Sequence, residues 1–222
     1  MLKFTTTAPI SAVLDIPAGR VQFIAADRAD TTVEVRPANP AKGRDVKAAE
    51  LTTVEYADGV LRVVASSAKN RVLGNSGSVE VTVQLPADSR VEVKAAATEF
   101  RAVGRFGDVA FDGAHGTVKI DQAASVRLTA LAGDVVVGRL GGPAEITTAK
   151  GDIRVAEAVR GTVVLRTQAG DVSVGAAAGV TASLDAGTSY GRVRNGLRNT
   201  GGEAGLVIRA TTAYGDISAH TV

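Results

Sequence analysis

From Val109 to Ile217 the chain alternates apolar and polar positions in short bursts. The apolar pairs are Val109/Phe111, Val118/Ile120, Val126/Leu128, Val135/Val137, Ala144/Ile146, Ile153/Val155, Val163/Leu165, Val172/Val174, Ala182/Leu184 and Leu206/Ile208. Alternation with period two places such residues on one face of a short β-strand. Lys119, Arg127, Glu145, Arg154, Arg166 and Ser173 fall between them and should face solvent, whereas Val136 and Val164 interrupt the alternation.

The bursts are punctuated by a regular beat at Gly107, Gly116, Ser125, Gly133, Gly142, Gly151, Gly161, Gly170 and Gly179. It stretches toward the C-terminus through Gly191, Gly205 and Gly215. A unit of nine or ten residues holds one strand and one tight turn. It leaves no room for the crossover that parallel neighbours in one layer require. Two units, about 18 residues, make one coil with a strand on each side, and stacked coils bury a thin core between two sheets. The predicted fold is therefore all-β, a parallel β-solenoid (β-helix-like) with about 18 residues per coil and an irregular N-terminal β portion. The expected organisation is one structural domain, with a 1–100 N-terminal cap continuous with a 101–222 regular solenoid. Gly-Asp recurs at Gly133-Asp134, Gly151-Asp152, Gly170-Asp171 and Gly215-Asp216. Glycine suits a corner with positive φ, and aspartate can accept hydrogen bonds from nearby backbone amides.

Before Arg101 the spacing is looser. Strands are expected over Ser11–Ile16, Arg20–Ala25, Thr32–Arg36, Leu51–Tyr56, Val60–Ala65, Val79–Leu85 and Val91–Lys94. Pro17-Ala18-Gly19 reads as a turn and Asp58-Gly59 as a hairpin. Pro37–Glu50 reads as a loop with a helical turn near Val46–Glu50, and polar Ser66–Ser78 as a flexible excursion. Leu85-Pro86-Ala87 echoes Ile16-Pro17-Ala18, so this portion reads as a degenerate version of the coil. The last strand unit, Gly215–Ala219, lies close to Val222 and is expected to leave an open edge for end-to-end association.

Composition narrows the chemistry. The 222 residues carry a net charge of +2, 4% aromatics and no tryptophan, which suits a core of small aliphatic side chains and gives no footprint for nucleic acid. Without cysteine there is no disulfide, thiolate zinc site or thiol nucleophile. The opening Met1–Thr7 lacks an apolar run, and no 18-residue apolar stretch follows; a cytoplasmic setting without membrane contact is the expectation. His115 and His220 stand far apart in sequence, and no ligand spacing, nucleophile elbow or phosphate loop is present, so no metal, cofactor or catalytic residue is assigned. Asp134, Asp152, Asp171 and Asp216 should stack along one corner. Equivalent carboxylates do not supply the split acid and base of a glycosidase or lyase. Tyr190, Arg192, Arg194, Asn195, Arg198, Arg209 and Tyr214 gather residue types favoured at protein-binding surfaces and are the candidate partner-binding residues.

Several strings carry a resemblance. They are Pro9–Val13, Asp27-Arg28, Thr31–Pro37, Val46–Glu50, Val54–Gly59, the Gly-Asp repeats, Tyr190-Gly191-Arg192-Val193-Arg194-Asn195 and Tyr214-Gly215-Asp216-Ile217. Over nearly its whole length the chain resembles an actinobacterial β-strand-repeat family labelled "putative adhesin", a domain of unknown function. The resemblance implies a β-helix-like fold, cytoplasmic residence for members without a signal sequence, and no established activity. The functional expectation is a non-catalytic binding or scaffold module presenting repeated faces to a protein partner, or self-associating through its C-terminal end. The alternatives are a polysaccharide-binding or -cleaving β-helix protein and a self-assembling scaffold like the bactofilins.

Overall fold

The computed structural model describes residues 1–65, 77–199 and 201–222. Most of the excursion expected over Ser66–Ser78 lies outside the described residues. The chain divides into two compact units, Met1–Gly116 and Thr117–Val222.

The first unit contains β1 (Leu2–Thr5), β2 (Ser11–Ala26), β3 (Asp30–Pro37), α1 (Gly43–Glu50), β4 (Thr52–Ala57), β5 (Val60–Ala65), β6 (Val79–Pro86) and β7 (Arg90–His115). The two strands expected on either side of Pro17 are one bent strand, β2, whose halves belong to different sheets. Its first half lies parallel between β5 and β7, with Ala12 opposite Leu61 and Val91. Its second half lies parallel between β6 and β7, with Val21 opposite Val81 and Phe100. At the bend Gly19 has φ 136°, and a Cβ there would lie 1.8 Å from the Val79 carbonyl oxygen. The strand can therefore turn against its neighbour only where there is no side chain.

Antiparallel strands finish both sheets: β4 on β5, and β3 on β6 followed by β1 on β3. The β4–β5 connection is the predicted Asp58-Gly59 hairpin, with φ of 51° and 75°, the paired positive values of a type I′ turn. The helix starts three residues before the expected turn because Asp45 is used structurally. Its buried carboxylate accepts the Ser78 amide at 3.1 Å. The core of this unit corrects one expectation. Phe23, Phe100, Phe106 and Phe111 are buried, with Phe23 edge-on to Phe100 and Phe106 at 6.1 and 6.5 Å, so this interior accommodates more than small aliphatics.

The second unit holds β8 (Val118–Ala132), β9 (Val135–Leu140), β10 (Ala144–Lys150), β11 (Ile153–Ala158), β12 (Gly161–Ala169), β13 (Val172–Ala176), β14 (Ala182–Tyr190), β15 (Val193–Gly196), β16 (Leu206–Tyr214) and β17 (Ile217–Thr221). All their pairings are parallel. One sheet runs β8, β10, β12, β16, β14. The other runs β8, β9, β11, β13, β17, β15. Val126 lies opposite Ala144, and Val135 opposite Ile153, each eighteen residues on. The inward positions are those the alternation picked out: Val135, Val137, Ile153, Val155, Val163, Leu165, Val172, Val174 and Ile208 are buried. Here the buried side chains are aliphatic apart from Thr148, Thr167 and Thr212, and the architecture is β-solenoid-like.

The strand order departs from the sequence order at the C-terminus. Val163 pairs with Ile208, not with Leu184, and Val172 pairs with Ile217, not with Val193. After β13 the chain skips one level, builds β14 and β15, and returns to insert β16 and β17 into the gap. Ile217 is fully buried and flanked on both sides, by Val172 and Val193. The open edge expected at Gly215–Ala219 is therefore not there. It is formed instead by β14 and β15, because among the described residues each is paired on one side only, with β16 and β17. The first unit shows the same device: its first long strand, β2, lies inside the stack rather than at its margin.

Candidate functional site

One corner of the second unit's coils is built by a ladder of aspartates. Asp134 Oδ1 accepts the Asp152 amide at 3.0 Å, Asp152 Oδ1 the Asp171 amide at 2.8 Å, and Asp171 Oδ1 the Asp216 amide at 2.7 Å. Asp216 Oδ1 then accepts the Arg192 amide at 2.9 Å. The main chain answers in the opposite sense, with the amides of Val135, Ile153, Val172 and Ile217 donating to the carbonyls of Asp152, Asp171, Asp216 and Arg192. The aspartates were read as bonding nearby amides, and the amide each one holds belongs to the next level of the stack. Every carboxylate is thus engaged in joining coils.

The glycine before each aspartate fits so closely that a side chain cannot enter. A Cβ on Gly170 would lie 2.1 Å from the Gly151 carbonyl oxygen, and one on Gly215 would lie 2.1 Å from that of Gly170. Inside the corner, Thr167, Thr212 and Thr188 donate their hydroxyls to the carbonyls of Gly151, Gly170 and Gly215 at 3.0–3.1 Å. These inward threonines were missed in the sequence because a threonine at an apolar position looks like an interruption of the pattern.

The ladder ends at Arg192, which stands in the aspartate position of the β14–β15 level. Beside it Tyr190 and Tyr214 are stacked, with ring centroids 5.0 Å apart and planes 4° from parallel. Both are exposed, Tyr190 at 67%. Arg194 approaches Asp216 at 3.7 Å. Among the described residues, the side chains of Arg192, Arg198, Arg209 and Asp185 make no ion pair. Tyr190, Arg192, Arg194 and Tyr214 therefore form one exposed corner.

The other three nominated residues sit elsewhere. Asn195 is exposed, lies in register with Ala219, and its Oδ1 accepts the Leu197 amide at 3.1 Å. Arg198 is anchored through its amide to Thr221 Oγ1 at 2.8 Å. Arg209 lies on β16 opposite Asp185, in the sheet that does not contain β15. A residue not nominated from sequence, Asn199, uses Oδ1 and Nδ2 to hold the amide and carbonyl of Ala182 at 3.0 and 2.9 Å. It closes the beginning of the β14 edge as a neighbouring strand would. Nothing in the local sequence marks it, since its role depends on the return of the chain through the insertion.

His115 and His220 are exposed at the ends of β7 and β17. Among the described residues no group of three His, Asp or Glu side chains is arranged to hold a metal ion.

The chain is similar to known proteins at the level of both structure and family. Solved structures similar to the chain include a putative cell adhesion protein from Clostridium sporogenes, at 9% identity over 100% of this chain and 98% of that one, with a TM-score of 0.41. A putative adhesin from Bacteroides fragilis is 12% identical over 98% and 95%, with a TM-score of 0.47. One from Parabacteroides distasonis is 11% identical over 98% and 95%, with a TM-score of 0.43. No curated protein matches the sequence. A family model, by contrast, covers residues 13–221, nearly the whole chain, and by that match the chain belongs to the Toastrack DUF4097 family.

Proposed function

We propose that this protein is a non-catalytic binding module in which a parallel β-solenoid, of about 18 residues per coil, holds a recognition corner rigid for a protein partner. The observation that carries this reading is the exposed Tyr190–Tyr214 stack beside Arg192, whose charge has no ion partner among the described residues. Tyrosine and arginine concentrate binding energy where they are held in place before the partner arrives. The Asp and Thr ladders supply that fixity, because each fastens the corner to the level beneath it. The cysteine-free sequence is compatible with a cytoplasmic setting, which completes the reading.

The test is comparative capture. Immobilised wild-type chain, Tyr190→Ala and Arg194→Ala are exposed to the same extract, and proteins retained by the wild type alone are purified and rebound. A partner whose affinity falls at least about tenfold with either variant supports the corner as the binding surface. Equal retention by all three chains overturns it.

A further inference from the structure

The outermost level of the second unit is one continuous surface: the outer edges of β14 and β15, the outer face of the Tyr190 ring and the Arg192 side chain. We propose that this surface docks onto the same surface of a second copy of the chain, corner to corner across a two-fold axis. The inference rests on the binding-module reading and names its partner.

Four features select this occupant. The first is that the level exposes two edges, one in each sheet, because among the described residues β14 pairs only with β16 and β15 only with β17. An added single strand would satisfy one edge and leave the other bare, which is the ordinary hazard of unpaired strands. The same two-edged surface on a second copy supplies a partner for each, with β14 of one copy beside β15 of the other. The second feature is chemical complementarity within the corner. Tyr214 covers one face of the Tyr190 ring and leaves the other open, while Arg192 lacks an ion partner among the described residues. A two-fold axis near Gly191 brings each Arg192 guanidinium over the other copy's Tyr190, giving two equal cation–π contacts.

The third feature argues against open-ended stacking. Every inner level offers a carboxylate to the next level's amide, and Arg192 has none to offer. A further coil of the same kind would find the ladder interrupted, so a closed isologous contact is favoured over a growing filament. The fourth is Asn199, which already occupies the amide and carbonyl of Ala182. It blocks the far end of the β14 edge and leaves the Tyr190–Arg192 end accessible.

Sedimentation equilibrium of the purified full chain across concentration tests the proposal, together with Arg192→Asp and the exposed control Arg209→Ala. The expected result is a reversible dimer that Arg192→Asp weakens at least about tenfold and Arg209→Ala leaves unchanged. Since the chain has no cysteine, the contact can be located by mixing Tyr190→Cys with Arg192→Cys. The mixture should form a disulfide-linked heterodimer more efficiently than either variant alone. All three results are required. A chain that stays monomeric, grows into larger species, keeps its dimer in Arg192→Asp, or fails to cross-link in the mixture overturns the proposal. A monomer that still captures another protein through Tyr190 leaves the binding-module reading standing and removes only self-association.

Discussion

At each inner corner of the second unit glycine and aspartate divide two tasks, and each can be tested alone. Gly170 gives the chain room to pass over the Gly151 carbonyl at φ 152°. Gly170→Ala should therefore cost more than about 2 kcal/mol in chemical denaturation, from steric conflict and backbone strain together. Asp171 ties adjacent levels by one charge-assisted bond to the Asp216 amide. Asp171→Ala should cost about 1 kcal/mol, since that bond is exposed and water can replace part of it. In the first unit, hydrogen bonds from Arg28 and then Lys3 lower the Asp30 pKa from 3.8 to about 2. A carboxylate held below its unfolded value contributes stability that is fully present above about pH 4 and is lost as pH falls toward 2. An NMR titration should find the Asp30 midpoint near 2 and move it toward 3.8 in Arg28→Ala. A midpoint unchanged by that substitution would contradict the assignment.

Individual strands were the most legible part of the sequence, because a side chain's face is decided locally by the two-residue period. Leu165 is fully buried and Arg166, its neighbour, is exposed, as the alternation required. Leu165→Ala should lose about 2–5 kcal/mol through lost burial and the cavity left behind. Arg166→Ala should change stability by no more than about 0.5 kcal/mol, because its contact with Glu145 is a long, exposed 3.7 Å pair. Comparable losses in thermal or denaturant melts would mean that the strand faces the other way. The type I′ hairpin at Asp58-Gly59 was legible for the same reason, its chemistry being complete within two residues. The bend of β2 at Gly19 was read as a break between strands. What keeps the strand going is pairing with β6 and β7, residues remote in sequence.

At the scale of the molecule, neighbouring levels come from remote parts of the chain, and local pattern says nothing about them. Alternation identified the strand at Ile217 but put it at an open edge, since a final repeat is naturally read as the last one stacked. The order is decided by alternative pairings of nearly equal chemistry. Gly191-Arg192-Val193 and Gly215-Asp216-Ile217 have the same turn and strand pattern, so either would fit beside Gly170-Asp171-Val172. The difference lies in the side chain that continues the ladder. Asp216 accepts the Arg192 amide from above and donates its own amide to Asp171 below, whereas Arg192 in the inner position would interrupt the ladder. The candidate corner was half legible in the same sense: its tyrosines and two of its arginines were named, and Asn195 and Arg209 were included because they are close in sequence or composition, not in direction.

The inserted final coil is therefore the claim on which the exposed edge, the corner and its partner all depend. Residue-resolved amide hydrogen exchange tests it directly. The amides of Gly215 and Ile217 donate to the carbonyls of Tyr190 and Arg192 at 3.0 and 2.9 Å, bonds that exist only if β14 and β15 lie outside β16 and β17. At concentrations where the chain is monomeric, the account predicts strong protection at Gly215 and Ile217, despite their place near the C-terminus, and faster exchange at Leu184, Ala186 and Val193 on the outer level. Rapid exchange at Gly215 and Ile217, with protection of Leu184, Ala186 and Val193, would contradict it.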